Sequence, residues 1–147
     1  MRRFDCFALT SPFRRIGAYL LILSLASGSS ALVAQPQVAW PTQSNSQGGV
    51  TVKVTPKALA AESNRWDFAV VLDTHTQELG DDLTQTATLV TDDGLRLKPT
   101  AWSGAKPGGH HREGVLSFAA PEPRPSSFEL QISRDGESAP RSFRWKR

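Results

Sequence analysis

The sequence predicts an all-β domain, an immunoglobulin-like β-sandwich of about seven strands, and three observations carry that expectation. Apolar residues recur on a period of two from Val50 onward, turn residues that include Asp-Gly pairs punctuate these runs, and only one short segment has helical character. Short strands at close spacing with so little helix belong to a sandwich or, as the alternative, to a small β-barrel. The Cys–Trp–Cys pattern of antibody domains is absent, so the likeness is one of architecture only.

The first element precedes that domain. Met1 to Arg15 carries Arg2, Arg3, Arg14 and Arg15 against a single acid, Asp5; Ile16 to Ala26 is apolar and uncharged, and the small residues SGSSALVA follow. A basic start, an apolar run and a small-residue cut site define a secretory signal, here residues 1–34. Cleavage fits after Ala31, with Ser29 at the −3 position, or less well after Ala34. An uncleaved anchor is the alternative, because residues 16–34 hold no charge and a spanning helix needs about 20 residues. Arg14-Arg15 lacks the flanking residues of a twin-arginine signal, and Cys6 lies before the apolar run, where lipoprotein processing does not use it. The expected location is periplasmic or extracellular, membrane-tethered if residues 16–34 are retained.

Residues 35–49, QPQVAWPTQSNSQGG, read as a flexible linker, with Trp40 either docked on the domain edge or exposed. The domain proper is expected over residues 50–147. Val50, Val52 and Val54 alternate with polar residues up to Pro56, and Trp66, Phe68, Val70 and Leu72 mark the most buried strand. Leu83, Ala87 and Leu89 lead to Asp92-Asp93-Gly94, a hairpin signal, with Leu95, Leu97 and Ala101 beyond it. Arg112 to Phe118 gives a fifth strand, and Phe128, Leu130 and Ile132 pair with Phe143 and Trp145 around Asp135-Gly136. The helical candidate, Lys57 to Ser63, is at most two turns.

Charge excludes one class of partner. Four of the 17 Lys and Arg and one of the 14 Asp and Glu lie before residue 35, which leaves 13 of each sign in the domain. Only the last seven residues, RSFRWKR, are locally basic, whereas nucleic-acid binding needs a basic face, so no nucleic-acid partner is expected. Cys6 is the only cysteine and lies in the signal, so the fold rests on its core without disulfides.

The histidines fall in two polar segments: His75 in LDTHT, and His110 and His111 in PGGHHREG. Asp73 and His75 point the same way in an extended chain, so with His110 or His111 they form a candidate zinc or copper(II) set; copper(I) is disfavoured because Met1 is the only methionine. The alternative is that the imidazoles organise a loop through backbone hydrogen bonds. Motifs of serine hydrolases, zinc proteases and phosphate loops are missing. Ser103 or Ser117 with His75 and Asp73 is a triad only on paper, and Asp81-Asp82 and Asp92-Asp93 sit in expected turns, where Asp is favoured for backbone reasons. Trp102 breaks the Leu parity of its run and precedes Ser103-Gly104, which makes it, with Arg112, a candidate loop-site residue.

The strings WDFAVVLDTHTQEL and AWSGAKPGGHHREGVLSF, between Trp66 and Phe118, resemble a group of uncharacterised exported or membrane-tethered prokaryotic proteins with a WDF…LDTH…W.G…GGHHR.GVL.F pattern. The resemblance implies a shared domain type and draws attention to His75, Trp102, His110, His111 and Arg112. It implies no reaction. The functional expectation is a non-enzymatic extracytoplasmic binding or accessory module with a protein or surface partner; a histidine-based metal domain and a hydrolase are the alternatives.

Overall fold

The structure, a computed structural model, describes residues 39–57 and 59–147; the signal segment and residues 35–38 lie outside the described residues. Nine strands form two antiparallel sheets. Strands β1 (Gln43–Gln47), β2 (Val50–Pro56), β3 (Arg65–Thr74), β7 (His111–Ala119) and β6 (Ala101–Gly104) make a five-stranded sheet in the order β1-β2-β3-β7-β6. Strands β5 (Arg96–Leu97), β4 (Ala87–Thr91), β8 (Ser127–Ile132) and β9 (Arg141–Lys146) make the second, in the order β5-β4-β8-β9. Neither sheet closes on itself, so the fold is a sandwich and the barrel alternative falls.

The period-two pattern dictates which side chains meet between the sheets. Val50, Val52, Val54, Trp66, Phe68, Val70, Leu72, Leu116 and Phe118 face Leu89, Phe128, Leu130, Ile132, Phe143 and Trp145, all buried. Phe128 is the aromatic hub: Trp66 lies 4.9 Å from it, Trp145 stacks at 5.5 Å, and Trp40 meets it edge-on at 5.3 Å. Such offset and edge contacts are the geometries that aromatic quadrupoles favour.

Four expectations need correction. Residues 35–49 are not all linker, because Gln43–Gln47 is a strand joined to β2 by Gly48-Gly49, whose φ values of 56° and 78° suit a two-residue hairpin turn. The run at residues 83–89 is not one strand: Leu83–Thr86 is a helical turn that Asp82 caps by accepting from the Thr84 amide at 2.9 Å. None of the described residues of the 57–63 segment is helical. The Asp-Gly hairpin exists between β4 and β5, but as a three-residue loop: the Gly94 amide donates to Thr91 O, the Thr91 amide donates to Leu95 O, and Gly94 takes a φ of 87°. These changes, with the division of residues 95–101 into β5 and β6, turn seven expected strands into nine.

Strand β1 is polar on both faces and is held by specific bonds rather than burial. The Gln43 carboxamide accepts from the Arg144 amide at 3.1 Å and donates to the Arg144 carbonyl, imitating a neighbouring strand along the free edge of β9. Trp145 Nε1 donates to Pro41 O at 2.9 Å. Residues 40–47 therefore stitch the five-stranded sheet to the last strand of the other sheet.

Candidate functional site

The residues singled out in the sequence converge at one end of the β3–β7 pair, on both faces of it. Register places Asp73 opposite His111 and Leu72 opposite Arg112, so alternation sends Asp73 and His111 to the outer face and Arg112 inward. His111 Nδ1 lies 2.5 Å from Asp73 Oδ1, and His111 Nε2 lies 3.8 Å from Glu113 Oε2, two residues along the same face. The hydrogen bond to Asp73 raises the His111 pKa above its ordinary value, with further support from the charges of Asp73 and Glu113 against a smaller desolvation effect.

His75 and His110 stand apart from this arrangement. Both are exposed, His75 in a bend past the end of β3. Among the described residues neither ring makes a hydrogen bond, and the His110 carbonyl accepts from the Thr74 amide at 2.9 Å. Asp73 is thus partnered by His111. Among the described residues, no three His, Cys, Asp or Glu side chains are grouped so as to hold a metal ion.

On the inner face, Arg112 is 1% exposed. Its Nη1 donates to Leu79 O at 3.0 Å and Asp81 O at 2.7 Å, and its guanidinium lies 5.7 Å from the Trp102 ring centroid. Burial pulls its pKa down, opposed by the charges of Asp81 and Asp82. Trp102 pairs in register with Leu116, leans inward over Gly104 and Gly114, and donates from Nε1 to Ala105 O at 2.9 Å. A β-carbon on Gly114 would lie 2.7 Å from Trp102 Cζ2, Ser103 O and Gly104 Cα, so glycine here is set by close packing. Trp102 is a packing residue against Arg112.

Two further arginines, which sequence reasoning passed over, complete the same end. Arg134 Nε donates to Asp81 Oδ2 at 2.8 Å, with both side chains buried. Arg141 donates to Val50 O at 2.8 Å, Gln47 O at 2.8 Å, Asn45 O at 3.2 Å and the Glu137 carboxylate. Planar guanidinium groups with five donors suit this task, since each ties several carbonyls from different loops. The only sequence signal was their parity: Arg141 falls on the inward positions of β9 with Phe143 and Trp145.

The remaining carboxylates are committed locally. Asp92 accepts from the Ser126 and Ser127 amides and from the Ser126 hydroxyl, and Asp93 accepts from the Leu95 amide and the Thr91 hydroxyl. Side-chain bonds to Thr84, Ser126 and Thr91 hold Asp82, Asp92 and Asp93 respectively below the ordinary carboxyl pKa. They stay ionised, the wrong state for a glycosidase acid at neutral pH. Ser103 pairs with Val115, and Ser117 donates to Asp67 Oδ1 at 2.7 Å. Along β7, Val115 and Ser117 lie about 13 Å and 20 Å from His111 at roughly 3.3 Å per residue, so neither serine joins the Asp73–His111 pair.

The middle of the same outer face is different in character. Ala69, Val71 and Val115 are half-buried there, side by side, between the exposed Lys53 and Lys57 on the β2 side and the exposed Glu113 on β7. No protein-family model, curated protein or solved structure matches the chain. Among the described residues no helix is long and apolar enough to cross a membrane, and the candidate anchor at 16–34 lies outside them.

Proposed function

We propose that this chain is an exported β-sandwich that acts outside the cytoplasm as a non-enzymatic binding or accessory module, with the outer face of the five-stranded sheet as its contact surface. The observation that carries the reading is the apolar stripe Ala69–Val71–Val115 set between cationic and anionic neighbours on an otherwise polar face. A contact surface draws its affinity from a small desolvated centre and its orientation from a charged rim. The buried arginine network at the end of this sheet supports the reading, since it fixes the loops that border the face. Export follows from the N-terminal signal pattern, with membrane tethering through residues 16–34 if that segment is retained.

The test is photo-crosslinking from position 71 in the full chain, expressed with its own N-terminal segment in a bacterial host, with position 131 on the outer face of the second sheet as the control. Adducts from position 71 and none from position 131 are expected. No adduct at position 71, or equal yields at both, would overturn the reading. Fractionation of the same cells checks export, with the chain expected in the envelope or medium.

A second reading is a zinc or copper(II) site centred on His111. Asp73 holds Nδ1 and leaves Nε2 facing outward beside Glu113, the orientation in which a carboxylate presents an imidazole to a metal. Titration with zinc and copper(II), followed by the three histidine ring signals, decides it. Saturable one-to-one shifts of His111 together with His75 or His110 support the site, and unmoved signals remove it.

A further inference from the structure

We infer that the partner seated on the outer face of the five-stranded sheet is a second copy of the same chain, an inference that rests on the binding-face reading above. Register puts Lys53, Val71 and Glu113 on one rung across β2, β3 and β7, so the rung reads cation, apolar, anion. The next rung, Thr55, Ala69 and Val115, is apolar at its centre, and Lys57 extends the cationic side. A partner that matches this face must carry an apolar centre with an anion opposite β2 and a cation opposite β7. The face itself, turned over, has that pattern.

Charge also fixes how the copies meet. With a two-fold axis across the strands, β2 lies over β2 and β7 over β7, so lysine faces lysine and Glu113 faces Glu113. An axis along the strands lays β2 of one copy over β7 of the other, which brings Lys53 toward Glu113 twice and closes the apolar stripes on each other. This is an isologous contact, and it agrees with the aligned packing that twisted sheets favour. Asp67 and Asp73, on the central strand, are each matched within their own copy, by Arg65 at 3.0 Å and by His111. No free anion of β3 then meets its own image.

Size sets the strength. Five strands about 4.8 Å apart and four outward rungs about 6.7 Å apart cover roughly 500 Å² per copy, or about 1,000 Å² in all. That is the lower limit for a specific interface, so the dimer is weak and reversible.

Sedimentation equilibrium of the full chain, recovered from the host envelope and followed from micromolar to millimolar concentration, tests this directly. A monomer–dimer equilibrium is expected, weakened roughly tenfold by Lys53→Glu or Glu113→Lys alone and restored when both changes are combined. Both side chains are exposed, so neither change threatens the fold. A wild-type chain that stays monomeric throughout, or a double variant as weak as the single ones, would overturn the inference. A monomeric chain whose position 71 still crosslinks a different protein sinks the second copy but leaves the binding face standing; silence in both experiments removes both.

Discussion

Asp73 and His111 face each other across the β3–β7 pair, with Oδ1 and Nδ1 2.5 Å apart, and both side chains remain partly open to water, 42% and 57% exposed. The bond favours the imidazolium, so the folded state binds the His111 proton more tightly than the unfolded chain does. The stability this pair contributes is therefore fully present below the unfolded pKa, near 6.5, and is lost as pH rises through the raised folded value. Proton-detected titration of the His111 ring checks the shift. Asp73→Asn is expected to lower the midpoint and flatten the pH dependence of stability over that window; an unchanged midpoint counts against the pair.

Arg141 is expected to be the most costly of the charged residues to remove. Arg141→Ala strands the buried Glu137 carboxylate and frees the carbonyls of Asn45, Gln47 and Val50, a loss on the order of 3–5 kcal/mol. Arg141→Lys recovers little, because one ammonium does not reach both hairpin and carboxylate. Denaturant midpoints of the two variants give the comparison.

Gly114→Ala is expected to destabilise by about 1–3 kcal/mol, since the added methyl meets the β6 backbone at 2.7 Å. Trp102→Ala in the same chain does not rescue it, because the contacts with Ser103 O and Gly104 Cα remain. Rescue by the tryptophan change, read in thermal melts, would show that the indole alone sets the glycine.

A chain that begins at Val50 is expected to lose cooperative unfolding or melt far below one that begins at residue 35. It lacks the Gln43 cap on Arg144, two of the carbonyls held by Arg141 and the Pro41 acceptor of Trp145. Gln43→Ala alone costs about 1 kcal/mol, the value of a modest hydrogen-bonded cap. Equal melting of the long and short chains would restore the linker reading of residues 43–47.

The sandwich was legible because nearly every buried residue of β2, β3, β7, β8 and β9 lies on one parity, and parity is what a half-buried strand writes into its sequence. Strand β1 was not, since QSNSQ has no apolar face and its pairing rests on hydroxyl and amide bonds such as Ser46 to Thr51 at 2.7 Å. Its Gly-Gly turn was the one available sign. Spacing also placed the histidines near one another along the chain, but strand register decided that Asp73 meets His111 and not His75. The inward turn of Arg112 was readable from its place two residues before Gly114 and four before Leu116, had a charged residue been allowed on a core parity.

The seam between β1 and β9 joins residues 94 to 104 positions apart, from Gln47 and Arg141 to Pro41 and Trp145. Closing a loop of that length costs about 4 kcal/mol in chain entropy, and the seam contributes nothing until both sides exist. During synthesis the first strand of the domain thus waits, unpaired across its outer edge, for the last. A ribosome halted before Arg141 displays a sheet whose core face is open and whose Glu137 has no Arg141 to meet. The stitching of early residues to late ones works as a completion check: the domain locks only when its final strand has been made.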